Sequence, residues 1–173
     1  MNKNDRIARF EAICPIDSLK EAMKSEPWNK FFTAPASTKY HGAYAGGLAD
    51  HSYNVYITLN NFTVLNDITW ERPESPFIIG MFHDLCKYDG FKINGNIIEH
   101  NDDTLFKGHG KKSVMLLSTI LKLTEEEAAC ICYHMGAFTD RDQWKDYTDA
   151  VKKYPNILWT HHADMYAAHI LGT

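Results

Sequence analysis

Six residues of this chain combine reactive side chains with positions that apolar packing alone would not give them. His51 sits on a helical stripe where a leucine is expected, and His83 and Asp84 are adjacent in the most hydrophobic stretch of the sequence. His109 and His134 fall near the start and the end of two later helical segments, and Asp164 falls midway along the last one. Burying such a group without a partner is costly, most of all for an unpaired carboxylate. Taken singly, each has an ordinary explanation: a lone histidine on an apolar stripe is more often a hydrogen-bonded core residue than a ligand. Asp164 alone reads as a buried cap or ion-pair member. The ordered set is different. Its successive intervals of 32, 25, 25 and 30 residues let each helix of a bundle deliver its own ligand inward. Imidazole and carboxylate together suit Fe, Mn, Zn, Co or Ni and require no thiolate. The chemistry expected is that of a metal centre holding one or two divalent transition-metal ions.

The elements that must position these residues are helical. Asp17 is placed to cap a first helix through Leu19, Ala22 and Met23, ending near Pro27. Leu48, His51, Val55, Leu59 and Phe62 form an i, i+3/i+4 stripe. Phe77 to Lys87 is apolar on nearly every face, as a central buried helix would be. Asn94-Gly95, set between Phe91, Ile93 and Ile97, Ile98, predicts a small hairpin with a type I′ turn. Helix resumes from about Gly110 to Leu121, and Thr124 with Glu127 has capping-box spacing for another helix that stops near Gly136. Residues 139–154 are polar and aromatic and read equally as helix or loop. Pro155 suits the start of a last helix carrying Leu158, His161, Met165 and Ala168. The fold class expected is all-α with one small β-hairpin, as a single domain over residues 1–173.

Composition narrows the function classes. The chain has 173 residues, 45% hydrophobic and 23% charged, with 18 basic against 22 acidic side chains and nine histidines. Those are globular values, and the formal charge of -4 argues against a dedicated duplex-DNA binder. It does not exclude an anionic substrate, because bound metal reverses the local field. No apolar run has membrane-spanning length and Met1 to Glu11 is charged, so a soluble cytoplasmic protein without membrane contact is expected. Cys14, Cys86, Cys130 and Cys132 lack zinc-ribbon pairing and read as reduced, buried thiols. There is no P-loop, GxSxG or dinucleotide fingerprint.

The ordered set resembles the HD superfamily of metal-dependent phosphohydrolases, whose pattern H…HD…D extends in dinuclear members to H…HD…H…H…D. The similarity covers most of the chain. It takes in Pro35-Ala36 through His41, Gly46-Gly47-Leu48-Ala49-Asp50-His51, and His83-Asp84-Leu85-Cys86-Lys87. It continues through Gly108-His109-Gly110-Lys111-Lys112-Ser113 and His134-Met135-Gly136 to His161-His162-Ala163-Asp164. The first part is similar to the HD domains of bacterial 3′→5′ exoribonucleases and small uncharacterised HD hydrolases. Many relatives have HDxGK, where this chain has Cys86 in place of the glycine.

The resemblance implies a helical HD-domain bundle that cleaves a phosphoester of a nucleotide or short oligonucleotide by a metal-activated hydroxide. It implies that His51, His83, Asp84 and Asp164 hold one metal, and that Asp84 bridges to a second held by His109 and His134. A carboxylate has two oxygens and can span two cations, whereas an imidazole normally binds one. Lys87 would contact a substrate phosphate, although a solvated lysine at a helix end reads equally well. His161, one turn before Asp164, would orient it, touch substrate or give a proton to the leaving group, and His41 is a weaker substrate contact. Lys111 and Lys112 read as a solvated helix face, and Phe91, Phe138 and Trp144 as core residues rather than a base-stacking platform. His100, His162 and His169 read as surface or structural. The partner expected is a small phosphorylated, nucleotide-like substrate, with short single-stranded nucleic acid the longer option. Two other readings share the ligand set: an HD-type di-iron oxygenase, and a non-catalytic ligand-sensing HD module.

Overall fold

The computed structural model of the chain describes residues 1–95 and 97–173. Helix α1 (Lys3–Ile13) is set by a reciprocal capping box, in which the Asn2 side chain accepts from the Asp5 amide and the Asp5 carboxylate from the Asn2 amide. This helix lies outside the sequence expectation, which starts at Asp17; the Asn2/Asp5 spacing is its signal. In α2 (Asp17–Lys24) Asp17 is the first helical residue and not the cap, which falls on Ile16. The Asp17 carboxylate instead pairs with Lys20 at 3.2 Å, where an acid in the first turn still suits the helix dipole.

The long central helix α3 (Gly47–Leu65) buries Leu48, His51, Val55 and Leu59, so the apolar stripe faces the core as the periodicity predicts. Helix α4 (Ser75–Phe82) is buried at every residue. It stops at Phe82 instead of running to Lys87: His83 caps it, Asp84 leaves helical geometry (φ -104, ψ 17), and Leu85–Tyr88 forms a 3-10 turn. Neighbouring residues of a continuous helix point about 100° apart. The break lets His83 and Asp84 face one centre.

Strands β1 (Phe91–Asn94) and β2 (Ile97–His100) pair antiparallel, with Phe91 opposite His100 and Asn94 opposite Ile97. The hairpin is therefore where it was expected, but Asn94 is a strand residue and Gly95 (φ +60) is the first loop position. The turn is thus one residue later than Asn94-Gly95 implies, and its second position lies outside the described residues. Helix α5 (Gly110–Leu117) ends before Leu121, while α6 (Glu125–Tyr133) has the predicted Thr124–Glu127 capping box. The ambiguous polar segment contains α7 (Trp144–Lys153), and α8 (Asn156–Tyr166) starts after Pro155 and runs into a π-helical turn, Ala167–Leu171.

The protein is mostly helical with one small antiparallel hairpin. Helix α3 packs against α4 and α8, and α6 against α5, α4 and α8, which surrounds the inner ends of the reactive segments with core. A buried polar brace fixes α4 relative to α6: the Glu127 carboxylate accepts from both Arg72 Nε and Nη2 at 2.7 Å and from Ser75 Oγ at 2.8 Å. Among the described residues, no helix is long and apolar enough to cross a membrane.

Gly80 permits the closest approach of α4 to α3, since a Cβ there would stand 2.4 Å from the Tyr56 Cα and 2.8 Å from its nitrogen. Backbone cannot step aside as a flexible side chain can. Gly80→Ala is expected to push the helices apart and lower stability by about 1–3 kcal/mol in urea unfolding. An unchanged midpoint would show that the contact is not tight.

Candidate metal centre

The α3 stripe, the break after α4, the cap of α5, the end of α6 and the middle of α8 bring all six sequence-selected residues together. Three overlapping groups have ligand atoms within 4.8 Å of one another: His51, His83 and Asp84; His83, His134 and Asp164; and Asp84, His109 and His134. Asp84 presents a different oxygen to each half. Its Oδ2 is 3.8 Å from His51 Nε2 and 3.5 Å from His83 Nε2. Its Oδ1 is 2.7 Å from His109 Nε2 and 3.5 Å from His134 Nε2. Asp164 Oδ1 adds to the first half, 3.1 Å from His51 Nε2 and 3.8 Å from His83 Nε2.

The proton positions on the imidazoles follow from their outer contacts. The Nδ1 of His51 donates to the Thr173 main-chain oxygen at 2.7 Å, that of His83 to Gly80 at 3.0 Å, and that of His134 to Ile131 at 2.7 Å. A carbonyl oxygen only accepts, so in the neutral ring Nδ1 keeps the proton and Nε2 offers a lone pair. His51, His83 and His134 are fully buried, and their Nε2 atoms, with Asp84 Oδ1, have no hydrogen-bond partner among the described residues. The three inward-facing Nε2 lone pairs meet no donor, a demand that a bound cation would satisfy. The donor set fits a metal held by nitrogen and oxygen.

Charge follows the same geometry. Burial pushes the Asp84 carboxyl upward, but Lys87, His109 and His83 together hold it well below the usual carboxylate range. Asp164 is also lowered, burial being outweighed by the closeness of His51 and by His83. For His109, burial works against protonation, yet Asp84 and then Cys86 raise it to about 10. Burial dominates at His134 and lowers it.

The remaining sequence candidates divide. Lys87 does not continue a helical face from His83; it turns back across the 3-10 segment so that its Nζ is 2.7 Å from Asp84 Oδ2. His161 stands outside the metal-capable groups, its Nδ1 donating to the His134 main-chain oxygen at 2.8 Å, and its ring lies over Gly136, which has φ +56. It therefore holds the His134 segment in place. His41 lies beside His51, ring centres 4.9 Å apart, and is pushed down to about 4 by burial and then by His51. Lys112 is buried and bonded to Asp89 at 2.6 Å, correcting its reading as solvated; Lys111 is exposed as expected. Phe138 and Trp144 are 66% and 50% exposed and so are not core.

A cavity of about 570 Å³ opens beside the cluster, with Lys87, His109, Phe91 and Phe106 in its wall. His100, read from sequence as surface or structural, also lines it. The residues that sequence reasoning missed are the outer partners of the imidazoles. Three are main-chain oxygens, which no residue type announces; Cys86, with its Sγ 3.5 Å from His109 Nδ1, is the only one marked by a side chain.

Comparison of the chain with protein-family models, with curated proteins and with solved structures found no match. Its own geometry defines it as a helical protein with a buried His/Asp cluster able to hold a metal ion.

Because His109 is raised to about 10, a metal that takes its Nε2 must displace a proton at neutral pH. The metal's apparent affinity is therefore expected to rise by up to about tenfold per pH unit between about pH 6.5 and about pH 8.5. Calorimetric Mn²⁺ titrations in buffers of different ionisation heat would measure the released proton. A pH-independent affinity with no proton release would show that His109 is already neutral.

Proposed function

We propose that the chain is an HD-type metal-dependent phosphohydrolase acting on a phosphoester of a nucleotide or short oligonucleotide. The observation that carries this reading is Lys87: its ammonium touches the shared Asp84 carboxylate and also lines the cavity. A cation beside the cluster, facing open space, suits an anionic substrate. One or two divalent ions (Fe, Mn, Ni, Co or Zn), when bound, would acidify a water and polarise a phosphoryl oxygen.

The chain's own residues account for the rest. Asp84 divides its two oxygens between the histidine pairs, and Asp164 completes the first. With the Asp84 charge shared in this way, the Lys87 ammonium would be free to reach a substrate phosphate through a charge-assisted hydrogen bond. Phe91, Phe106 and the 82%-exposed Tyr40 offer aromatic surface on which a base can stack. Lys112 and Asn101 are committed elsewhere, to the Asp89 carboxylate at 2.6 Å and its carbonyl at 2.8 Å, and so shape the cavity without reaching substrate. His161 steadies the His134 backbone through Nδ1, which leaves its Nε2 for the substrate contact or proton transfer expected of it.

Protein loaded with Mn²⁺, Fe²⁺ or Ni²⁺ is expected to retain metal and to hydrolyse members of a panel of mononucleotides, short oligonucleotides and generic mono- and diesters. Asp84→Asn should abolish turnover, and Lys87→Ala should mainly raise KM. Absence of bound metal after loading, or full activity in Asp84→Asn, would sink the reading.

A further inference from the structure

The four imidazoles are not held alike. Three are fully buried, with Nδ1 bonded to a main-chain oxygen. His109 is 35% exposed, stands at the cap of α5 just after Gly108 (φ +94), and has its Nδ1 facing the Cys86 sulfur at 3.5 Å. Its Nε2 lies 2.7 Å from Asp84 Oδ1, yet that oxygen makes no hydrogen bond, so the two atoms meet out of donor alignment.

We propose that Cys86 is a positioning residue for His109, and that through it Cys86 sets the affinity of the metal position formed by Asp84, His109 and His134. The inference rests on the metal-centre reading above. Sulfur accepts the Nδ1–H, which leaves the Nε2 lone pair directed at the metal position and fixes the ring plane. Cys86 is itself well anchored: it is 6% exposed, and its amide donates to Ser113 Oγ at 3.0 Å. Ser113 belongs to α5, the helix that His109 caps, so thiol and imidazole are referenced to the same element. Sulfur is a weaker acceptor than a carbonyl oxygen. The position served by His109 is therefore the looser one, filling after that of His51, His83, Asp84 and Asp164.

The test is a Co²⁺ titration of metal-free protein, followed by visible absorption and calorimetry. Wild type should show two steps. Cys86→Val replaces the acceptor with hydrocarbon at the cost of one extra heavy atom, and should weaken the second step by about ten- to a hundredfold while leaving the first intact. Cys86→Ser restores an acceptor and should recover most of the second step. An intact first step certifies the fold of each variant; if Cys86→Val loses both steps, Cys86→Ala, which only removes an atom, replaces it. Equal second steps in all proteins overturn the inference but not the metal reading. A sulfur-to-cobalt charge-transfer band in wild type makes Cys86 a ligand and also overturns it. No Co²⁺ uptake at all overturns both.

Discussion

The structure is organised around one buried carboxylate. Asp84 is 2% exposed, and its two oxygens each face a pair of imidazole nitrogens. A carboxylate taken from water needs strong partners, and here Lys87 and His109 each approach one of its oxygens to 2.7 Å. Much of the local architecture follows from that demand. Helix α4 cannot run on past His83, because a continuous helix would turn Asp84 away from the centre. Lys87 then folds back over the 3-10 turn to the oxygen that His51 and His83 also face.

The surrounding frame is built to hold several segments at fixed distance from that point. Gly80 lets α4 lie against the α3 backbone, and its carbonyl also receives the His83 Nδ1 proton. One residue thus serves both helix packing and imidazole orientation. At the start of α3, Asp50 is clamped by Arg6 Nη2 and Arg9 Nη2, each at 2.7 Å, with Gly46 leaving room for the Arg6 guanidinium. His51 is the next residue, so α1, the element least visible in the sequence, braces the first ligand. The Glu127 brace does the same for α6 and so for His134. Networks of this kind stabilise little when exposed but are costly to break when buried.

Much of this was legible in the sequence where residue type and spacing carry the information. The stripe of α3, the Thr124 cap and the Pro155 start follow local rules, and the six His/Asp positions stood out because each violates apolar patterning. What was not legible depends on tertiary geometry. The direction of each Nε2 is set by main-chain oxygens of Gly80, Ile131 and Thr173, and a carbonyl looks the same in every residue. The burial of Lys112 requires Asp89, 23 residues away, to meet it. Phe138 and Trp144 carry core-like side chains but stand outside the core, while Tyr147, Ala150 and Val151 further along α7 pack against it, so their exposure contradicts hydrophobicity alone.

The cluster is also asymmetric in access, and that asymmetry bears on where chemistry can occur. His51, His83 and His134 are sealed from solvent, whereas His109 and Lys87 line the cavity. A group entering through this cavity therefore meets His109 and Lys87 first, where the imidazole is least rigidly held. A centre in which every ligand was locked would bind metal tightly but offer no adjustable edge to an incoming group. Asp84 joins the locked imidazoles to the more exposed His109, and a carboxylate suits that place because its two oxygens face different groups. The chain's formal charge of -4 is no obstacle to an anionic substrate under this arrangement. The positive charge that matters would be local, at the open half of the cluster, where the surrounding surface charge is screened and the cavity directs approach.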